Sequence, residues 1–136
     1  MAIASNTIAK LALELETAEV SRVQRRQISL DHPEVTIDDA YAIQAAWMAL
    51  KAKQGRRVIG YKIGLTSKAM QRSSNISEPD TGVLLDTMRM ASGVRIDTAL
   101  FIEPRIEVEL AFILKADLPI SGCSVEDVLA ATEWVV

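Results

Sequence analysis

The most informative stretch of this 136-residue sequence runs Arg105-Ile-Glu-Val-Glu-Leu-Ala-Phe-Ile-Leu114. Its residues are mostly apolar, with β-branched and aromatic side chains among them, so we predict a strand over 106–114. Alternate side chains of a strand share a face, which places Glu107 and Glu109 together. Two ionised carboxylates on a partly buried face repel each other and lose hydration, a cost that a divalent cation with oxygen ligands offsets. The pattern therefore predicts a metal site at these two residues.

The same Glu-x-Glu spacing also occurs on the solvated face of ordinary antiparallel sheets. The face that carries the two glutamates continues with Ala111 and Ile113, which favours a cleft over a fully solvated surface. Two carboxylates do not complete the near-octahedral oxygen coordination that magnesium requires, so water, substrate or a further residue must contribute. The spacing by itself leaves both interpretations open.

Two other side chains are candidates for proton transfer. Lys62 lies in Gly60-Tyr-Lys-Ile-Gly64, where flanking glycines let the backbone approach a ligand closely. Asp80 follows Glu78-Pro79 in a stretch rich in turn formers, and such a loop can hold a carboxylate in position to accept a proton or orient water. Each has an ordinary alternative, a surface lysine on an edge strand and a common turn residue.

The remaining pattern predicts helices before strands. Apolar residues at three- and four-residue steps predict an amphipathic helix over 5–26, and a second helix is predicted to run from its N-cap, Thr36, to Gly55. Ser124 and Asp127 have the spacing of a capping box at the start of a later helix. We predict strands at 57–65, 83–85, 88–90, 94–96 and at the end of the chain, helical turns at 67–74 and a loop at 75–82. These elements indicate an α+β fold.

Length and composition set limits on the function. A chain of 136 residues is long enough for one structural domain with a sizeable core. The net charge of −3 and the pI near 5.2 argue against a nucleic-acid partner. The one cysteine, Cys123, excludes an intrachain disulfide bond. Without a recognisable signal peptide or a membrane-spanning apolar stretch, we expect a cytoplasmic protein with no membrane partner.

Several ordered stretches resemble the hydratase and decarboxylase branch of the fumarylacetoacetate hydrolase superfamily, and together they extend over nearly the whole chain. They are Ser29-Leu-Asp-His-Pro-Glu-Val-Thr-Ile-Asp-Asp-Ala-Tyr-Ala-Ile-Gln44, Gly60-Tyr-Lys-Ile-Gly-Leu-Thr-Ser-Lys-Ala-Met-Gln71, Ser77-Glu-Pro-Asp80, Phe101-Ile-Glu-Pro-Arg-Ile-Glu-Val-Glu-Leu-Ala-Phe112 and Ala130-Ala-Thr-Glu-Trp-Val135. The motifs are specific to the branch and less specific to one substrate.

The resemblance implies a fold and a metal. Residues 1–56 would form a helical N-terminal region and 57–136 the first part of a catalytic mixed β-sheet barrel or roll, truncated at its C-terminus because the subunits of the family are longer. Glu107 and Glu109 would be two of three carboxylate ligands of a Mg²⁺ or Mn²⁺ ion, and the third would lie beyond Val136. The subunits of relatives assemble into homo-oligomers, so a homo-oligomer or a complementing C-terminal half is the expected macromolecular partner.

The resemblance also implies a reaction. The metal would chelate the 1-carboxylate and 2-oxygen of a small 2-oxo acid or diacid, and water would add at carbon 4 of the 2-hydroxydienoate or 2-oxo-enoate, as in homoprotocatechuate and other aromatic catabolism. By similarity, Lys62 and Asp80 would handle protons. Two alternatives stay open: a decarboxylase of the 4-oxalocrotonate type, and a truncated chain that survives as a non-catalytic remnant or interaction domain.

Overall fold

The computed structural model describes residues 3–119 and 121–136 and has an α+β composition with two small sheets. The chain divides into two compact units, Met1–Ile102 and Glu103–Val136. The first unit contains α1 (Ser5–Ser21), α2 (Ile28–Asp31), α3 (Ile37–Lys53), β1 (Val58–Gly64), α4 (Lys68–Ser74) and β2 (Asp80–Leu85). The second contains β3 (Phe112–Leu114), α5 (Val125–Ala131) and β4 (Thr132–Val135). No helix in the described part of the chain is long and apolar enough to cross a membrane.

The core of the first unit lies between α1 and α3. Leu11 and Ala12 of α1 are almost completely buried against Ile43 of α3, and burial of a leucine or isoleucine side chain contributes about 1.5–3 kcal/mol. The apolar residues that surround them come from the same two helices, from the residue before Ala4 and from the start of α2: Ile3, Ile8, Leu15, Ile28, Ala46, Trp47 and Leu50. The three- and four-residue spacing in the sequence therefore identified the buried face of each helix correctly.

The two long helices differ in how closely they follow the predicted bounds. The Thr36 side chain accepts a hydrogen bond from the Asp39 N–H, and the Asp39 carboxylate accepts one from the Thr36 N–H, so the predicted N-cap of α3 is confirmed as a full capping box. The first helix ends earlier than predicted, because Arg22 adopts a left-handed conformation with φ of 59°. Residues 22–26 are therefore outside α1, and an unpredicted helical turn, α2, follows them.

An antiparallel pair, β1 and β2, forms the sheet of the first unit. The predicted strand at 57–65 is confirmed as β1, and the helical turns predicted at 67–74 are confirmed as α4, whose N-cap is Ser67. The prediction of a loop through residue 82 was wrong, because β2 begins at Asp80. Backbone pairing with β1 through Gly64 overrides the local turn preference of the Pro-Asp-Thr-Gly sequence.

Two short predicted strands in the first unit were wrong. Met88 is the last residue of a 3₁₀ turn, Asp86–Met88, and residues 94–96 follow a turn with Gly93 at φ of 79°. Neither segment forms a strand in the part of the chain that the structure describes. Each segment has only two apolar residues with an arginine between them, which is too few to keep an extended conformation without a neighbouring strand to pair with.

The second unit is built on the antiparallel pair of β3 and β4. The predicted capping box at Ser124 and Asp127 is confirmed at the start of α5, and the predicted terminal strand is confirmed as β4. The predicted strand over 106–114 was wrong for its first part, because only Phe112–Leu114 is a strand. The β4 strand ends at Val135, opposite Phe112, and beyond it the N–H groups of Ala111 and Val136 each donate to the other residue's carbonyl oxygen. Among the described residues no strand pairs with 106–110, so no ladder of hydrogen bonds holds them extended.

Candidate functional site

The first unit brings Lys62 and Asp80 to the same face of the β1–β2 sheet. In the antiparallel register Lys62 is opposite Gly82, and Gly64 is opposite Asp80. Opposed residues share a face, as do residues two apart in one strand. Lys62 and Asp80 are therefore diagonal neighbours, a relation in which residues of antiparallel strands lie about 7–8 Å apart. The side chains of Lys62 and Asp80, which are 18 positions apart in the sequence, thus come within reach of one small molecule.

A glycine faces each of the two candidate side chains across the strand pair. A β-carbon at Gly64 would collide with Asp80 Oδ1, and a β-carbon at Gly82 would lie 3.0 Å from Lys62 Cγ. The Asp80 carboxylate and the Lys62 stem therefore occupy the space that larger residues would fill. The other face of β1 carries the exposed apolar side chains of Ile59, Tyr61 and Ile63, so the polar chemistry is confined to the face with the glycines.

Two side chains of α3 hold the backbone of β2 between Asp80 and Gly82. The Thr81 N–H donates to the Tyr41 hydroxyl oxygen at 3.1 Å, and Gln44 Nε2 donates to the Thr81 carbonyl oxygen at 3.1 Å. In an antiparallel pair, alternate residues direct both backbone groups away from the partner strand. Thr81 is such a residue, so α3 satisfies the outer edge of β2 at this point.

A pocket of about 240 Å³ lies beside this contact, between α3 and the segment that leads into β2. Its lining is mainly apolar, and its charged groups are the carboxylates of Glu78 and Asp80. None of the described residues that line it carries a positive charge. By itself this pocket is a poor site for an anionic substrate, because its carboxylates would repel one.

Glu107 and Glu109 lie in the second unit, in a stretch without regular secondary structure, and both are exposed. The parity argument that placed them on one face therefore does not apply here, because residues 106–110 are not a strand. Among residues 3–119 and 121–136, no three His, Cys, Asp or Glu side chains are grouped so that they could hold a metal ion. The two glutamates as metal ligands remain a prediction from the resemblance.

The most strongly perturbed carboxyl group lies away from the sheet. Glu16 of α1 is buried, which opposes its charged form, but hydrogen bonds from Lys51, Gln54 and Trp47 outweigh burial and lower its pKa to about 2. Lys51 Nζ lies 2.8 Å from Glu16 Oε2, and Trp47 Nε1 donates to the same oxygen at 2.7 Å. This cluster joins α1 to α3, and its carboxylate is fully paired, so we assign it to stability rather than chemistry.

Sequence reasoning missed the residues that surround the two proton-transfer candidates. Tyr41 and Gln44 were visible as neighbours at three-residue spacing on a helix, but nothing in the sequence indicated that they contact β2. Gly82 was interpreted as a turn glycine, and its position opposite Lys62 follows only from the strand register. The pairing of Gly64 with Asp80 likewise could not be predicted from the sequence, because it depends on the strand register.

Comparison with known proteins gives two closely similar hydratases. The chain is 56% identical to 2-oxo-hept-4-ene-1,7-dioate hydratase of Escherichia coli over 126 residues, which cover 93% of this chain and 47% of that protein. It is 50% identical to 2-hydroxyhexa-2,4-dienoate hydratase of Comamonas testosteroni over 107 residues, which cover 77% of this chain and 40% of that protein. No protein-family model matches the sequence.

Among solved structures, the chain is similar to 4-oxalocrotonate decarboxylase from Pseudomonas putida G7, with a TM-score of 0.92 and 32% sequence identity over 98% of this chain and 51% of that one. That enzyme was solved with calcium and acetate and with magnesium and adipate. The chain thus spans about half the length of the relatives it matches. The resemblance predicted from the sequence motifs is confirmed, in sequence and in fold.

Proposed function

We propose that the chain supplies one half of a metal-dependent hydratase, because nearly its whole length is similar to hydratases and to a decarboxylase. The reaction would add water to a 2-hydroxydienoate or 2-oxo-enoate such as 2-oxo-hept-4-ene-1,7-dioate, in cytoplasmic breakdown of aromatic compounds. The observation that carries this proposal is the placement of Lys62 and Asp80 on one face of the β1–β2 sheet, since a lyase needs a proton donor and a proton acceptor within reach of one substrate.

The proton balance of the reaction explains why two groups are needed. Ketonisation of a 2-hydroxydienoate removes the proton of the 2-hydroxyl group and places one at carbon 5. Hydration then places a hydroxyl group at carbon 4 and a proton at carbon 3. We assign the Asp80 carboxylate to accepting protons and Lys62 Nζ to donating them, because a carboxylate is an acceptor and an ammonium group is a donor near neutral pH.

Glu107 and Glu109 are the residues that we propose hold the metal, Mg²⁺ or Mn²⁺. Their donor set fits, because magnesium is commonly held by one or two protein carboxylates, with water and substrate oxygens in its other positions. When bound, such an ion would supply positive charge that stabilises the substrate carboxylate and 2-oxygen during the reaction. The magnesium and adipate complex of the decarboxylase supports a divalent ion together with a dicarboxylate in proteins of this kind.

Manganese binding to the 136-residue chain tests the metal assignment. Mn²⁺ broadens NMR signals of nearby residues, so we expect selective broadening around Glu107 and Glu109 at millimolar or lower Mn²⁺. Glu107→Gln and Glu109→Gln should each weaken this effect at least about tenfold, since each removes one charged ligand. Glu103→Gln is the matched control, because Glu103 is an exposed glutamate in the same segment that pairs with Arg105. Equal broadening in all variants would refute the assignment.

The second candidate function is decarboxylation, which the 0.92 TM-score to 4-oxalocrotonate decarboxylase favours. The same charge-stabilising site would then release carbon dioxide instead of adding water. Incubation of the protein that contains this chain with 2-hydroxypenta-2,4-dienoate and, separately, 4-oxalocrotonate distinguishes the two. A 4-hydroxy-2-oxo acid without carbon dioxide supports the hydratase, and carbon dioxide without hydration supports the decarboxylase.

The length comparison supports a third proposal, that the β-roll is completed by the half of the relatives that this chain does not match, in the same or in another polypeptide. The chain spans about half of its relatives, and in its second unit Ile106 and Val108 are 96% and 97% exposed. A complementing C-terminal half, within a homo-oligomer, would cover such residues and contribute the third carboxylate. If the 136-residue chain acts alone as a non-catalytic interaction domain, addition of that half will neither raise metal affinity nor produce activity.

A further inference from the structure

A contact between α3 and β2 has a consequence for Asp80. The Thr81 N–H and C=O groups are both bound by α3 side chains, Tyr41 and Gln44, at 3.1 Å each. These side chains are half-buried and are three residues apart, which places them on one face of the helix. The residue that they hold comes directly after Asp80 and directly before Gly82, the glycine opposite Lys62.

We propose that Tyr41 and Gln44 are positioning residues for the Asp80 carboxylate, acting through the backbone of Thr81. This inference rests on the proton-transfer role assigned to Asp80 under the proposed function. The hydrogen bonds of both side chains to β2 are made to the backbone of Thr81. Their effect passes through one residue of backbone, which sets where β2 starts and in which direction the Asp80 side chain leaves it.

The place of Asp80 in β2 makes its position depend on the contacts of Thr81. Residues 75–79 precede it without regular secondary structure, and β2 begins at Asp80 itself. The first residue of a strand is the one most prone to fraying. Asp80 pairs with Gly64 of β1. At the next residue, Thr81, the hydrogen bonds with Tyr41 and Gln44 hold the outer edge of the strand and oppose fraying. Both partners come from α3, whose N-terminus is itself held by the capping box at Thr36.

The geometry of a proton-transfer group is sensitive to small displacements, and a misplacement of about 1 Å can cost up to 100-fold in rate. Loss of one of two contacts should have a smaller effect. In the active protein that contains this chain, we expect Tyr41→Phe and Gln44→Met each to lower kcat about tenfold while KM changes less than about twofold. The matched control is Tyr61→Phe, because Tyr61 also loses one hydroxyl group but lies on the other face of β1 and is 68% exposed. Its kcat should stay unchanged.

A double-mutant cycle separates positioning from a general loss of folding. If Tyr41 acts through Asp80, then Tyr41→Phe should have almost no further effect on kcat in an Asp80→Asn background, whereas independent effects would multiply. A Tyr41→Phe enzyme with wild-type kcat, or one whose defect multiplies with that of Asp80→Asn, would overturn the inference.

A measurement without activity distinguishes failure of this inference from failure of the proposed function. In the 136-residue chain, Tyr41→Phe should speed hydrogen exchange of the Thr81 amide and shift the side-chain ¹³Cγ signal of Asp80, and Tyr61→Phe should change neither. If the wild-type protein has no lyase activity but these shifts occur, the proposed function fails and the positioning contact stands. If the Thr81 exchange rate and the Asp80 ¹³Cγ shift are the same in Tyr41→Phe as in Tyr61→Phe, the positioning role is refuted, whether or not the enzyme is active.

Discussion

Gly64 is the residue at which a single methyl group should matter most. The Asp80 carboxylate lies across the strand pair in the space that a β-carbon at Gly64 would take. Gly64→Ala must therefore displace that carboxylate, and we expect kcat/KM of the active protein to fall at least about tenfold, because the proton acceptor is misplaced. The nearest atom is the end of a side chain that can move, and not backbone, so the thermal midpoint should not fall in parallel.

The control for this prediction lies in the same strand. A β-carbon at Gly60 would meet only Leu84 Cδ1 at 3.9 Å, an ordinary van der Waals contact. Gly60→Ala should therefore keep kcat/KM within about twofold of the wild-type value. Comparable losses in both variants would show that strand rigidity, and not the position of Asp80, determines the effect.

The contact between α1 and α3 depends on ionisation at Glu16. The folded state lowers the pKa of this carboxyl from 4.5 to about 2, so it adds stability above pH 4.5 and loses that contribution as the pH falls toward 2. The shift corresponds to about 3 kcal/mol between those limits. Urea unfolding from pH 7 to pH 2 should show the free energy of unfolding falling mainly below pH 4.5.

The variant Glu16→Gln measures how much of the pH dependence of the free energy of unfolding comes from Glu16. Glu16→Gln removes one of the two carboxylates that contact the buried Lys51, and Glu19 remains beside it. The variant should lower the free energy of unfolding at pH 7 by about 3 kcal/mol and flatten the curve between pH 4.5 and 2. Glu34→Gln, at an exposed glutamate that contacts His32, should change stability by less than about 0.5 kcal/mol. An unchanged pH curve in Glu16→Gln would contradict the assignment.

The two units of the molecule differ in how much they bury. The first has a helix–helix core around Leu11 and Ile43, whereas Ala131 is the one buried apolar residue in the described part of the second. A two-stranded sheet of three or four residues per strand is marginally stable in water. Native-state hydrogen exchange of the 136-residue chain should therefore show slow amides in α1 and α3 and fast ones in β3 and β4.

The same hydrogen-exchange measurement tests the proposed complementing half. If the exposed segment 106–110 is covered by another polypeptide in the active protein, addition of that polypeptide should slow exchange in β3 and β4 and leave α1 and α3 unchanged. Equally slow exchange in both units of the chain alone would mean that the second unit is stable by itself, which would contradict the proposed complementing half.

The sequence by itself determined the local elements. Periodic apolar residues predicted the buried faces of α1 and α3, and capping residues predicted the starts of α3 and α5, because these signals involve residues three or four positions apart. The motifs around Lys62 and Glu107 also predicted the resemblance to the hydratases and decarboxylases. Only the tertiary structure decided that Asp80 begins a strand, that residues 106–110 do not form one, and that glycines face Lys62 and Asp80. The physical reason is distance along the chain: the Tyr41–Thr81 hydrogen bond spans 40 residues, and strand pairing is set by partners that no local pattern contains.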